Sequence, residues 1–179
     1  MALPRINETL NFTMKVPSTG KTIKYRPYLV KEEKVLLQAF ESGDTKTCLE
    51  AMVDTLEACI DPKSKLDVGS LATFDVEYMF IKVRSKSVGE TSQISVNCSE
   101  CSTPNEYSVE LEEVDVSVEE LDNVIQLNDE VSVEMKFPTY SHIANETVTE
   151  GSDTEAAMSV LTKCISAVLM EEERIDASE

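Results

Sequence analysis

Cys98 and Cys101 stand two residues apart in the stretch SVNCSECSTPNEYSVELEEV, residues 95–114, between two runs that alternate like β-strands. Three chemistries are open to such a pair: half of a zinc site, a redox couple, or a plain turn holding two thiols. A redox pair of the thioredoxin type needs a helix N-terminus to lower the thiol pKa. Here Ser-Thr-Pro-Asn and a strand-like EYSVEL follow, which disfavours that reading. A strand–Cys-x-x-Cys–strand knuckle suits zinc better, because the tight turn brings both thiolates to one point. Tetrahedral zinc then needs two further ligands, from His142 with one other thiol or from the same knuckle of another subunit. Zinc is therefore a candidate cofactor at Cys98 and Cys101, with an incomplete ligand set.

The remaining chemistry-bearing residues offer less. Cys48, Cys59 and Cys164 fall on or beside apolar helical stripes, where a thiol behaves as a small hydrophobe. His142 is the lone histidine, and such a residue is more often packed or solvated than a general base. The five glycines, at 20, 43, 69, 89 and 151, form no phosphate cradle. Acids set among apolar residues in VEYMFIKV and VSVEMKF read as a solvated face. No active site emerges, and the expectation is a protein that is not an enzyme. The competing reading is a zinc-knuckle enzyme or redox protein using Cys98 and Cys101.

Charge is unevenly placed. Residues 1–90 carry 13 Lys/Arg against 13 Asp/Glu, whereas residues 91–179 carry 3 against 21, so the whole net charge of −18 belongs to the second half. That half repels phosphate backbones, which argues against nucleic-acid binding and favours solubility or a basic protein partner. No stretch approaches the roughly 20 apolar residues that span a bilayer. With no apolar signal-peptide core at MALPRINETL, a cytoplasmic protein with reduced thiols is expected.

The elements that must position these residues point to an α+β fold. Phe12, Met14 and Val16 alternate before Pro17–Gly20, and Ile23 and Tyr25 continue after it, predicting a β-hairpin. Val35, Leu36, Ala39 and Phe40 predict a helix stopped by Gly43. A second helix is expected from an Asp44 cap to Pro62, with Cys48, Leu49, Met52, Val53, Leu56 and Ile60 as its stripe. A third begins at a Ser70 cap and buries Leu71, Phe74, Tyr78 and Ile81, widened by Met79, Phe80 and Val83. Then come the knuckle strands, a hairpin about Asn128-Asp129, and a helix from Ser152 or Asp153 whose stripe runs through Ala157, Val160, Leu161, Cys164, Ile165, Val168 and Leu169. The polar end EEERIDASE reads as frayed. Three units follow: 1–90, a hairpin with three helices; 91–150, an acidic β-rich segment with the knuckle; and 151–179, a helix and acidic tail packed on the first unit.

The signature LPRINETLNFTMKVPSTGKTIKYRPYLVKEEKVLLQAFESGD has a Pro-led start, a hairpin closed by PSTGK, the run YRPYLVKEEKVLL and a helix ending in ESGD. It resembles the baseplate hub proteins of T-even-type contractile-tailed bacteriophages, a family of hub subunits and hub-assembly chaperones. The resemblance is strongest over residues 3–43, extends to about residue 85, includes VNCSECSTPNEYSVEL, and is loose beyond about residue 120. It implies a role in building the baseplate hub, with other hub proteins as partners, in the host bacterial cytoplasm and then in the virion tail. No catalytic residues carry over. Docking is expected through the hairpin edges and Tyr25, Arg26, Tyr28 and Leu29; homo-oligomerisation is left open. Members of that family run past an acidic stretch into a further helix and a second cysteine-bearing segment. Either this member is short or the sequence is part of a longer protein, and in the second case further cysteines complete a four-cysteine zinc site.

Overall fold

A computed structural model describes residues 10–117, 122–146, 153–170 and 173–177. The Pro-led start and the Ser152 cap lie outside them. The alternating first segment forms β1 (Phe12–Lys15) and β2 (Thr22–Tyr25), paired antiparallel with Phe12 opposite Tyr25 and Met14 opposite Ile23. Val16 N–H donates to Lys21 O at 2.9 Å to close the turn. Gly20 has φ 66°, where an L side chain would be strained. The inward face of Met14, Val16, Ile23 and Tyr25 is buried. Beyond it, Asp61 N–H bonds Lys24 O and Arg26 N–H bonds Cys59 O, each at 2.9 Å. The Ile60 segment thereby bridges to Tyr25 as a third short edge.

Helix α1 (Val30–Ser42) ends at Gly43, which takes φ 68°, and Asp44 starts α2 (Thr45–Cys59) by accepting the Thr47 N–H at 2.9 Å. The two pack through Leu36, Ala39 and Ala51. Val35 and Phe40, expected inward, are about half exposed at 50% and 49%. The physical reason is Glu32: it shares its face with Leu36 and Ala39, and its bonds to Arg26 and to the Leu29 N–H turn that face inward. Helix α3 (Thr73–Ser87) starts from Ala72 without a side-chain cap. Ser70, the expected cap, donates instead to Asp67 O at 2.9 Å. The buried line of α3 is Val76, Met79 and Val83, while Phe74, Tyr78 and Ile81 are half-buried.

In the second half, β3 (Thr91–Asn97) and β4 (Pro104–Glu110) pair antiparallel around the Cys98–Thr103 turn, as the sequence predicts. The hairpin about Asn128-Asp129 is β5 (Val124–Gln126) and β6 (Val131–Met135). Helix α4 (Tyr140–Glu146) follows, then α5 (Asp153–Lys163). The expected long helix stops there: Ile165–Met170 is strand β7 and Glu173–Asp176 is β8, completing an antiparallel sheet in the order β5-β6-β7-β8. The apolar run ISAVLM fits a strand as well as a helix, and pairing with β6, Val168 opposite Val133, decides it. Part of the polar end is likewise ordered, with Ile175 opposite Val168. Arg174 reaches Glu134 at 2.7 Å. Strands from both sides of residue 150 thus share one sheet. Tyr140, 4% exposed, joins the core of the first half, and its N–H bonds Leu71 O at 3.0 Å.

Candidate functional site

The knuckle is a turn at the end of a two-stranded ribbon. Cys98 N–H donates to Thr103 O and Ser102 N–H to Cys98 O, both at 2.9 Å, and Ser102 takes φ 57°. Cys98 is half-buried and Cys101 exposed. Cys101 Sγ lies 3.2 Å from Thr103 Oγ1. The Thr103 hydroxyl, then its amide, then Cys98 pull the Cys101 thiol below its ordinary pKa. No group of three or more His, Cys, Asp or Glu placed to hold a metal occurs among the described residues. His142, weighed as a third ligand, sits on α4 and does not group with the two thiols. The knuckle therefore offers two thiols, and a zinc there would take its other protein ligands from beyond the described residues. Cys59 is buried at the end of α2, and burial pushes its thiol up to about 11. Cys164 is buried before β7 and Cys48 half-buried in α2.

The three residues expected to dock a partner occupy different settings. Arg26 turns inward: its guanidinium donates to Pro27 O and Ala58 O at 2.9 Å and to Glu32 at 3.0 Å. Tyr28 is half-buried between the two apolar clusters, and its N–H bonds Ser87 Oγ at 3.0 Å. Leu29 is open to solvent at the start of α1. Val30 and Leu37, not singled out in the sequence, and Phe40, expected inward, fall on one outer face of α1 by helical spacing, interleaved with Glu33, Lys34 and Glu41, and Val30 is 79% exposed. The signal was available: adjacent Leu36 and Leu37 must point to different sides of a helix, so one of them had to face out.

Two titratable groups couple this architecture to pH. Burial alone would raise the Glu32 carboxyl; the Leu29 N–H, Arg26 and Lys31 outweigh it and hold the group below its ordinary 4.5. His142 is pushed below 6.5 by burial, then by Lys136 and Lys163, and its Nδ1 is buried without a hydrogen-bond partner among the described residues. A depressed histidine binds protons more tightly when unfolded, so its contribution is complete above 6.5 and lost as pH falls below that value. A depressed carboxyl contributes above 4.5 and loses that contribution as pH falls through the folded value. The melting temperature should therefore decline in two stages on acidification, one beginning near pH 6.5 and one below 4.5. His142→Asn should remove the first and leave the second. A wild-type melting temperature flat from pH 7 to 5 would contradict the assignment to His142.

No helix among the described residues is long and apolar enough to cross a membrane. No curated protein and no solved structure matches the chain. The family model described as T4 bacteriophage base plate protein matches residues 8–179, which takes in the hairpin, the five helices of the described residues and the knuckle ribbon. On that match the chain belongs to the T4-type base plate protein family.

Proposed function

We propose that the protein acts without catalysis, through protein–protein contact, in assembling the baseplate hub inside the infected host cell, as a hub subunit or as a chaperone that leaves once the hub forms. The observation that carries this reading is the set of exposed apolar side chains Leu29, Val30, Leu37 and Phe40 at the start and on the outer face of α1 in a base plate family member. Apolar side chains left exposed on a helix whose other face already packs a core form a surface for another protein. Its partner in this reading is another hub protein with an apolar groove, which takes the helix by its outer side chains. Leu29 belongs to that surface, Tyr28 supports it from beneath, and Arg26 fixes the angle of the helix. The acidic ribbon and its knuckle face a second contact. Zinc at Cys98 and Cys101 would there be completed by a partner's ligands or by a second copy's knuckle.

Co-expression with each hub protein of the same phage, followed by native mass spectrometry, tests the reading. The wild-type chain should hold one hub protein in a defined complex, whose mass also reports bound zinc. Leu37→Ser combined with Phe40→Ser should weaken that complex about tenfold or more, as loss of two apolar anchors does. Its melting temperature should fall only slightly, because each side chain is about half exposed, at 55% and 49%. A wild-type chain that binds none of the hub proteins, or a double variant that binds as tightly as wild type, would overturn it. Presence in purified virions separates subunit from chaperone.

A further inference from the structure

A cavity of about 590 Å³ opens between the hairpin and α3, and the open edge of β1 forms one wall. Asn11 to Lys15 all line it. Five successive residues can line one cavity only if the strand presents its edge, since side chains alternate between faces. Among the described residues β1 has β2 as its only strand neighbour. The bond from Val16 N–H to Lys21 O sets the alternation of the antiparallel ladder. Met14 and Phe12 then bond across to β2, while Thr13 and Lys15 direct their backbone groups to the open edge. Tyr78, Lys82 and Lys86 form the other wall, four residues apart along one line of α3.

This cavity reverses the charge of the molecule around it. Three lysines, Lys15, Lys82 and Lys86, face it against one carboxylate, Glu112, in a chain of net charge −18. The Lys86 ammonium lies 5.4 Å from the centre of the Phe12 ring and the Lys82 ammonium 5.2 Å from that of Tyr78, so both cations sit over aromatic faces. The chain itself displays what the wall accepts: Lys86 already pairs with both Glu112 and Glu90, and Lys82 donates to the Glu112 carbonyl at 2.6 Å. Lys15 has no ion-pair partner among the described residues. A strand edge with no second strand among the described residues invites a further strand, and the cations select its charge.

We propose that an extended acidic segment of a partner protein adds as a strand to the open edge of β1, with its carboxylates against Lys15 and Lys82, the two lysines of the wall that pair with no carboxylate among the described residues. A second copy is the less fitting occupant, because two chains of charge −18 repel. This goes beyond the hub-assembly reading and concerns a surface separate from the outer face of α1.

The probe is a short fluorescent peptide in which Glu and Val alternate, with a Lys-for-Glu version as control, titrated into the whole protein and followed by polarisation. The acidic peptide should bind and the basic one should not. Lys15→Glu should weaken binding about tenfold or more, as a like charge at a contact rim does. Thr13→Pro should do the same by removing an outward N–H that the β1–β2 ladder does not use. Melting temperatures of both variants check that the hairpin is intact. No binding by wild type, equal binding of the two peptides, or full binding by Thr13→Pro would each overturn strand addition. A wild-type dimer in sedimentation that Lys15→Glu dissociates would make the occupant a second copy and overturn the partner assignment. No hub protein enters this test, so its failure leaves the α1 reading standing, and loss of hub binding in the α1 variant leaves this one standing.

Discussion

Asp75→Ala should lower the unfolding free energy by about 2–3 kcal/mol, the cost of losing charge-assisted hydrogen bonds at a buried site. Asp75 is fully buried at 0% exposure in the first turn of α3. Its carboxylate accepts the Ser18 N–H at 2.8 Å and the Ser18 hydroxyl. Position adds to these bonds, because the unpaired amides of a helix start carry partial positive charge. Two effects limit the loss. Alanine relieves the desolvation of a buried charge, and the exposed Ser18 can bond water once its acceptor is gone. Asp75→Asn should cost less, about 1 kcal/mol, since an amide oxygen still accepts the Ser18 N–H and only the charge is lost. Chemical denaturation of both variants and of Ser18→Ala measures this. An alanine variant within 0.5 kcal/mol of wild type, inside the usual range for a surface substitution, would show that the contact does not tie the hairpin to α3.

The Asp75 contact also marks where sequence reading ended. Elements set by local chemistry were legible: the alternation of β1 and β2, the Asp44 cap, the Gly43 stop, and the strands flanking the knuckle. Each depends on residues within a few positions of one another. Asp75 and Ser18 are 57 residues apart, and nothing in FDVEYMF distinguishes this acid from the exposed Glu77 two positions on. Ile165–Met170 failed for another reason. Six apolar or small residues carry no period, and only β6 on one side and β8 on the other make them a strand. The settings of the residues expected to dock a partner were not legible: Leu29 is open to solvent, whereas Arg26 turns inward to Glu32, to the Pro27 carbonyl and, across the fold, to the Ala58 carbonyl. The cavity beside β1 arises only when Lys15 and the Tyr78–Lys86 line, far apart in the chain, come to face each other.

Arg26→Ala should be as damaging as the loss of Asp75, about 2–3 kcal/mol, which discounts the 3–5 kcal/mol of a broken buried pair because the guanidinium is 19% exposed. Three losses combine. The Ala58 carbonyl near the C-terminal end of α2 loses a cationic donor where the helix end is negative. The Pro27 carbonyl loses its donor. Glu32, 8% exposed, keeps Lys31 at 3.2 Å and the Leu29 N–H but loses its buried cation. Glu32→Ala should cost about 2 kcal/mol, near the upper end for a lost helix-start cap. The double variant should then cost less than the two singles together, with a coupling of about 1–2 kcal/mol, because neither partner is left buried alone. Arg26→Lys should recover little, since one ammonium cannot reach three acceptors spread around a planar fork. Strict additivity in this cycle would mean that Arg26 and Glu32 stabilise the fold separately. The functional consequence is a contrast between two variants. Arg26→Ala lets α1 roll, so under the proposed function any defect in hub binding should accompany a lower melting temperature and recede on cooling. On the proposed hub reading, Leu37→Ser with Phe40→Ser should lose binding at every temperature with the fold largely intact, because in that reading those side chains are the surface that Arg26 only aims.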